Sequence, residues 1–178
     1  MRFDPGPGWG GHCIPVDPFY LTYKAREFGA APKFIELAGE INVRMHEYVV
    51  GKLTTALNAL GKSVNGAQIL LLGIAYKKDI GDCRESPAFP IMHQLQQLGA
   101  RLSYSDPYVP AVPSLREWPA FEGWRSSELD EALLGVVDVA LIVTDHSIVD
   151  YEWLVTKCAL VVDTRGVCRA PAPNLVKA

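Results

Sequence analysis

Gln68-Ile69-Leu70-Leu71-Leu72-Gly73-Ile74-Ala75-Tyr76-Lys77-Lys78 decides how this chain is built. A short, uninterrupted apolar run closed by glycine has the length of a strand buried on both faces, and the polar residues after it form a loop. Similar runs over 101–104, 137–143 and 159–162 predict further strands, and stretches with helical spacing over 87–98, 127–134 and 151–157 alternate with them. Such alternation predicts an α/β, Rossmann-like parallel sheet with flanking helices, its first strand central and flanked by those that follow. Ser86-Pro87 is the expected N-cap and first-turn proline of the first of these helices, and Ser127-x-x-Asp130 the expected capping box of the second. Pro107, Pro110, Pro113 and Pro119 make 106–123 an irregular excursion, and Asp106 is read as a turn residue with Pro107.

Upstream of the sheet the period changes. Phe34, Leu37, Ala38, Ile41, Met45, Val49, Leu53, Leu57 and Leu60 recur at helical spacing, predicting one long helix over 33–60 that stops at Gly61. A helix of that length has more apolar face than the neighbouring domain can cover, which points to another helix or another subunit. The expected division is therefore a loop and central helical segment over 1–61 and a Rossmann-like domain over 62–178.

Farther upstream still, Gly6-Pro7-Gly8-Trp9-Gly10-Gly11-His12-Cys13-Ile14-Pro15-Val16-Asp17-Pro18 puts a cysteine on a glycine-rich turn. Asp17-Pro18 reads as N-cap and first-turn proline of a helix over 18–28, ended by Gly29. Cys13 is then expected just upstream of a helix N-terminus, where the dipole and free N–H groups favour an anion. The spacing G-x-G-x-x-G over 6–11 is not read as a dinucleotide fingerprint, because no strand leads into it.

Composition excludes more than it identifies. A net charge of −3 over 178 residues, with no basic tract, argues against nucleic acid. No apolar run is long enough to span a bilayer and no signal peptide is visible, so a cytoplasmic setting is expected. Cys13, Cys83, Cys158 and Cys168 lack C-x-x-C spacing, so free thiols are expected and no metal site. Tyr76, Lys77, Lys78 and Arg84 after the first strand, with Arg165 after the last, form the cationic and aromatic set expected at the strand ends, where open parallel sheets bind ligands. Solvated loops, or an ion pair of Arg165 with Asp163 or a neighbouring carboxylate, are the structural alternatives. His146 in Thr144-Asp145-His146 is expected to cap or orient its loop, and His46 and His93 to be packing or surface residues.

Three blocks also resemble a known family. Gly10-Gly11-His12-Cys13-Ile14-Pro15-Val16-Asp17-Pro18-Phe19-Tyr20-Leu21 is similar to the active-cysteine motif of the UDP-glucose/GDP-mannose dehydrogenase family, in the form found in enzymes acting on UDP-N-acetylhexosamines. Leu71 to Ala88, with Gly73-Ile74-Ala75-Tyr76-Lys77-Lys78 and Asp82-Cys83-Arg84-Glu85-Ser86-Pro87, resembles the opening of that family's nucleotide-sugar domain, and Val161-Val162-Asp163-Thr164-Arg165-Gly166 resembles its close.

The resemblance implies oxidation of a sugar C6 alcohol to a carboxylate by two hydride transfers to NAD, for polysaccharide biosynthesis. Cys13 would capture the aldehyde as a thiohemiacetal that becomes a thioester and is hydrolysed. It implies that Asp17 helps organise the catalytic water and lysine, that Trp9, Gly10 and Gly11 line the sugar, that Lys77 and Arg165 contact the UDP-sugar, and that the central helix supports a homodimer. Trp9 departs from the smaller apolar residue or phenylalanine common there. The family's NAD-binding domain and its lysine have no counterpart in these residues, so the chain is expected to be a C-terminal part, binding no cofactor and inactive alone. The alternative is a stand-alone, non-catalytic UDP-sugar-binding or dimerisation module. A cysteine hydrolase fits poorly, since no histidine is placed by motif to activate Cys13. UDP-N-acetylglucosamine is the first choice of ligand, ahead of its mannosamine epimer and UDP-glucose.

Overall fold

Side chains of the first strand part to opposite faces of a sheet. In the computed structural model, which describes residues 5–11 and 13–178, β1 (Gln68–Leu72) sends Ile69 and Leu71 into one core and Leu70 and Leu72 into another. This is the period of two of a pleated strand covered on both sides. Among the described residues the sheet has five parallel strands in the order β2-β1-β3-β4-β5, completed by β2 (Arg101–Ser105), β3 (Val139–Ile142), β4 (Val161–Asp163) and β5 (Leu175–Lys177). β1 lies between β2 and β3, so strand order reverses between β1 and β3.

The helices are α1 (Cys13–Glu27), α2 (Lys33–Val43), α3 (Met45–Ala59), α4 (Ala88–Gln97), α5 (Glu131–Leu134) and α6 (Tyr151–Lys157). Val49, Leu53 and Leu57 of α3 and Phe89, Met92 and Leu95 of α4 pack on the Ile69 face. Leu134 of α5 and Leu154 of α6 cover the Leu70 face. Ser86 caps α4 as expected, its hydroxyl accepting the Ala88 N–H at 3.2 Å.

Several boundaries differ from the sequence reading. The helical run over 33–60 is jointed: Arg44 N–H bonds to Ile41 O at 3.1 Å, a tight i−3 turn that separates α2 from α3. α1 starts at Cys13, so Asp17 and Pro18 lie inside it and are neither cap nor first turn. Pro15 is the proline placed in the first turn, where a missing N–H costs nothing, while Pro18 forgoes an interior bond. α5 begins only at Glu131, because Ser127 N–H is committed to Tyr104 O at 2.8 Å and Asp130 takes over as cap, accepting Leu133 N–H at 2.8 Å. The edge strand β5 follows Pro171 and Pro173, and its pairing with β4 comes from the sheet edge rather than from any periodicity of its own.

Candidate functional site at the strand ends

The glycine-rich loop before α1 lies against the C-terminal ends of the strands. A Cβ on Gly10 would sit 2.7 Å from both Glu85 O and Tyr76 Cβ, and one on Gly11 would sit 3.0 Å from Tyr76 Cε2. One on Gly6 would overlap Arg165 Nη1. Bare backbone at these positions is thus what lets the cysteine-bearing loop touch both the loop after β1 and the residue after β4. Trp9 anchors the same loop from the other side: its N–H donates to Asn42 Oδ1 at 2.9 Å, and its ring meets Phe19 edge-on at 6.4 Å. Cys13 is exposed on the first turn of α1, and Asp17 is exposed one turn later. His12 lies outside the described residues.

Arg165 is held rather than loose. Its Nε donates to Asp145 Oδ1 at 3.0 Å and its backbone N–H to Asp163 Oδ1 at 2.9 Å. The ion-pair partner of its guanidinium is therefore Asp145, and Lys78 Nζ approaches the other oxygen of that carboxylate at 4.0 Å. Asp163 also receives Lys177 Nζ at 2.5 Å and the Cys168 N–H at 3.0 Å. Burial alone would push its carboxyl up, but Lys177 and these amides outweigh that and hold it below the usual carboxylate range. Lys78, Asp145, Arg165, Arg169 and Lys177 border a cleft of about 710 Å³.

Lys77 is exposed and enters no ion pair among the described residues, whereas Arg84 is committed to Asp82 through Nη2 to Oδ2 at 2.7 Å and Nε to Oδ1 at 3.0 Å. Trp9 borders a second recess, of about 270 Å³, together with Pro15, Asn42, His46, Glu85 and Trp118. The structure thus brings Gly10, Gly11 and Tyr76 into contact and sets Arg165 beside Gly6. Neither recess counts Cys13, Asp17, Lys77 or Arg84 among its lining residues.

The crevice between β1 and β3, where strand order reverses, is filled from within. Gly73 (φ +75) packs so closely on Thr144 that a Cβ would overlap its carbonyl, and Thr144 Oγ1 donates to Ala75 O at 2.6 Å. The N–H groups of Ile74 and Ala75, which follow β1 where a dinucleotide fold presents amides to phosphate, are taken at 2.7 and 3.1 Å by Oδ2 of Asp106. Asp106 was legible only as a turn residue. It is also a buried hub, 3% exposed, whose Oδ1 accepts Tyr108 N–H at 2.8 Å and Val109 N–H at 3.0 Å. His146 is fully buried and does orient its loop: Nε2 meets Asp106 Oδ2 at 3.0 Å, and Nδ1 accepts the Asp79 N–H at 3.0 Å. Partners 32 and 40 residues from Asp106 leave no local trace in sequence. Among the described residues no cluster of three or more His, Cys, Asp or Glu is placed to hold a metal, and no helix is long and apolar enough to cross a membrane.

A parallel sheet covered by helices on both faces, with cations gathered at its strand ends, is a Rossmann-like domain of the nucleotide-binding class. Residues 70–170 match the UDP binding domain of the UDP-glucose/GDP-mannose dehydrogenase family, and residues 1–44 match that family's central domain. The chain belongs to this family. It is 32% identical to Protein CapL of Staphylococcus aureus over 98% of its own length and 41% of that protein's. It is 36% identical to UDP-N-acetyl-D-glucosamine 6-dehydrogenase of Pseudomonas aeruginosa over 66% of its length and 28% of the relative's. The solved structure of UDP-D-ManNAc dehydrogenase from Pyrococcus horikoshii superposes with a TM-score of 0.77 at 28% identity, covering 97% of this chain and 38% of that one. The chain thus spans well under half the length of these relatives.

Proposed function

We propose that this chain is the nucleotide-sugar and active-cysteine portion of an NAD-dependent UDP-N-acetylhexosamine 6-dehydrogenase. The contact of Gly6, Gly10 and Gly11 with Arg165 and Tyr76 carries this reading, since it joins three motifs scattered along the sequence at one end of the sheet. Tyr76, Lys77 and Arg165 hold the nucleotide diphosphate, with Arg84 at the edge of the same loop. Trp9, Gly10 and Gly11 shape the sugar end. UDP-N-acetylglucosamine is the preferred ligand, a choice supported by the Pseudomonas aeruginosa relative.

Cys13 is the nucleophile. Its Sγ adds to the C6 aldehyde carbon, forming a C–S bond while the carbonyl oxygen takes up a proton, and Asp17 helps to organise the water that later releases the acid. NAD, the hydride acceptor, does not fit the β1 crevice, because Asp106 occupies the amides a pyrophosphate would need. Hydride transfer is therefore assigned to a separate NAD-binding domain, and the chain alone is expected to be inactive. The setting is the cytoplasm. The subunits pair through the central helices, as supported by the exposed Phe34, Leu37 and Ile41 of α2.

The test is calorimetric titration with UDP-N-acetylglucosamine. Charge-assisted bonds to phosphate contribute roughly 1.5–3 kcal/mol each, so Lys77→Ala with Arg165→Ala should weaken binding at least about a hundred-fold. Equal affinity in the double variant would overturn the assignment. Cys13 should also be the thiol that alkylates first. The other three are buried, and burial pushes the thiols of Cys83 and Cys158 up to about 11 and that of Cys168 up to about 12. Peptide mapping that found one of those three labelled before Cys13 would contradict the nucleophile assignment.

A further inference from the structure

We propose that the buried Asp106–His146 pair is the positioning element of the Tyr76-Lys77-Lys78 segment, and thereby of the lysine assigned to the nucleotide sugar. The proposal rests on that assignment and adds to it. Two flanks of the segment are gripped by one pair. On the near side, Asp106 Oδ2 accepts the N–H groups of Ile74 and Ala75 at 2.7 and 3.1 Å. On the far side, His146 Nδ1 accepts the N–H of Asp79 at 3.0 Å, and Asp79 in turn holds Ser147 through its N–H and its hydroxyl, each at 2.7 Å. His146 Nε2 and Asp106 Oδ2, 3.0 Å apart, join the two grips.

The donors fix the state of the ring. Because Asp79 N–H points at Nδ1, that nitrogen offers its lone pair, and the ring hydrogen sits on Nε2, directed at the carboxylate. The ring is kept in place by Tyr108, whose centroid lies 4.9 Å away, and by Tyr151, whose hydroxyl donates to His146 O at 3.1 Å. The grip also holds an uncommon backbone. Asp79 has φ +60, a left-handed conformation that few side chains adopt freely and that a surrounding network must hold. Between the grips Lys77 is exposed, so what sets its place is the backbone under it. A carboxylate with five donors and a fully buried imidazole, both reaching the same short loop from later strands, make a rigid base for an otherwise mobile side chain.

The experiment pairs ligand binding with a ligand-free readout on the full chain. In 15N NMR spectra, His146 should show the neutral Nε2–H tautomer and the Asp79 amide should resist exchange. In titrations with UDP-N-acetylglucosamine, His146→Ala should bind about ten-fold more weakly, and His146→Asn, which returns an acceptor to the place of Nδ1, should recover most of that loss. In a Lys77→Ala background, His146→Ala should change affinity by less than about two-fold, because the lysine it positions is gone. The same loss in both backgrounds, or none in either, would overturn the proposal by reducing the pair to general support of the fold. Should alanine unfold the chain, His146→Gln replaces it in both backgrounds, keeping a donor for Asp106 and no acceptor at the Nδ1 place. An Nδ1–H tautomer or a freely exchanging Asp79 amide would refute the grip itself. A wild-type chain with the expected tautomer and protected amide that nevertheless binds no UDP-sugar would refute the nucleotide-sugar assignment and leave the grip standing.

Discussion

α2 and α3 continue one apolar period on either side of Arg44, and they are buried in opposite senses. Val49, Leu53 and Leu57 of α3 are fully buried against α4 and the sheet, while Phe34, Leu37 and Ile41 of α2 remain 88%, 50% and 56% exposed. What α2 does bury is Gly39, on which Phe19 of α1 rests so closely that a Cβ would lie 2.6 Å from its Cζ. Helical spacing shows that a face is apolar; it does not show what covers it. α3 is part of the sheet domain's core, whereas α2 presents its large side chains outward, and the match to the family's central domain ends at residue 44, at the joint between them.

The sharpest way to break this contrast is at Leu53. Leu53→Ala removes a fully buried side chain from the sheet domain's core and should lower stability by about 2–5 kcal/mol, read as the shift of the denaturant midpoint. The same truncation at Phe34 should change the stability of the single chain by less than about 0.5 kcal/mol. Comparable losses at the two positions would mean that α2 is covered as α3 is.

Acid separates the strand ends from the helical arm. Burial would raise the carboxyls of both Asp106 and Asp163, but their donors prevail and hold both below the ordinary value of 3.8. The unfolded chain therefore binds these protons more readily, so their contribution to stability is complete above that value and is lost as pH falls through the lower folded values. Acid unfolding followed at β4 amides should show this loss, and Asp106→Asn should flatten it. An unchanged acid profile in that variant would remove Asp106 from the hub.

A subtler probe is Gly39→Ala, which should push Phe19 off α2 at a cost of about 1–3 kcal/mol confined to the α1–α2 contact. Hydrogen exchange should quicken in α1 and α2 and stay unchanged in β1. The smallest effect on the fold is expected from Phe34→Glu with Leu37→Glu. It should leave the thermal midpoint in place yet convert a self-associating chain to a monomer in sedimentation, and an unaltered sedimentation coefficient would remove α2 from the interface.

Much of this was legible in sequence, because the strongest signals were local. The unbroken apolar run of β1, the Ser86-Pro87 start of α4 and the whole of α6 follow from side-chain period and capping chemistry that neighbouring residues carry. The features that escaped depend on partners far along the chain. β5 is a three-residue strand given its place by β4. Asp106 acquires its role from Ile74 and His146, and Arg165 finds Asp145 rather than the nearer Asp163 for its guanidinium. The three motifs that named the family were readable as motifs, but their meeting through Gly6, Gly10 and Gly11 is a property of the fold.

That meeting can be measured directly by titrating 15N-labelled chain with UDP-N-acetylglucosamine and mapping the amide shifts. Joint movement of Gly10, Gly11, Lys77, Arg165 and Gly166, with α3 undisturbed, is the predicted result. Shifts confined to the recess beside Trp118, or no shifts from a folded chain at saturating ligand, would contradict a nucleotide-sugar site at the strand ends.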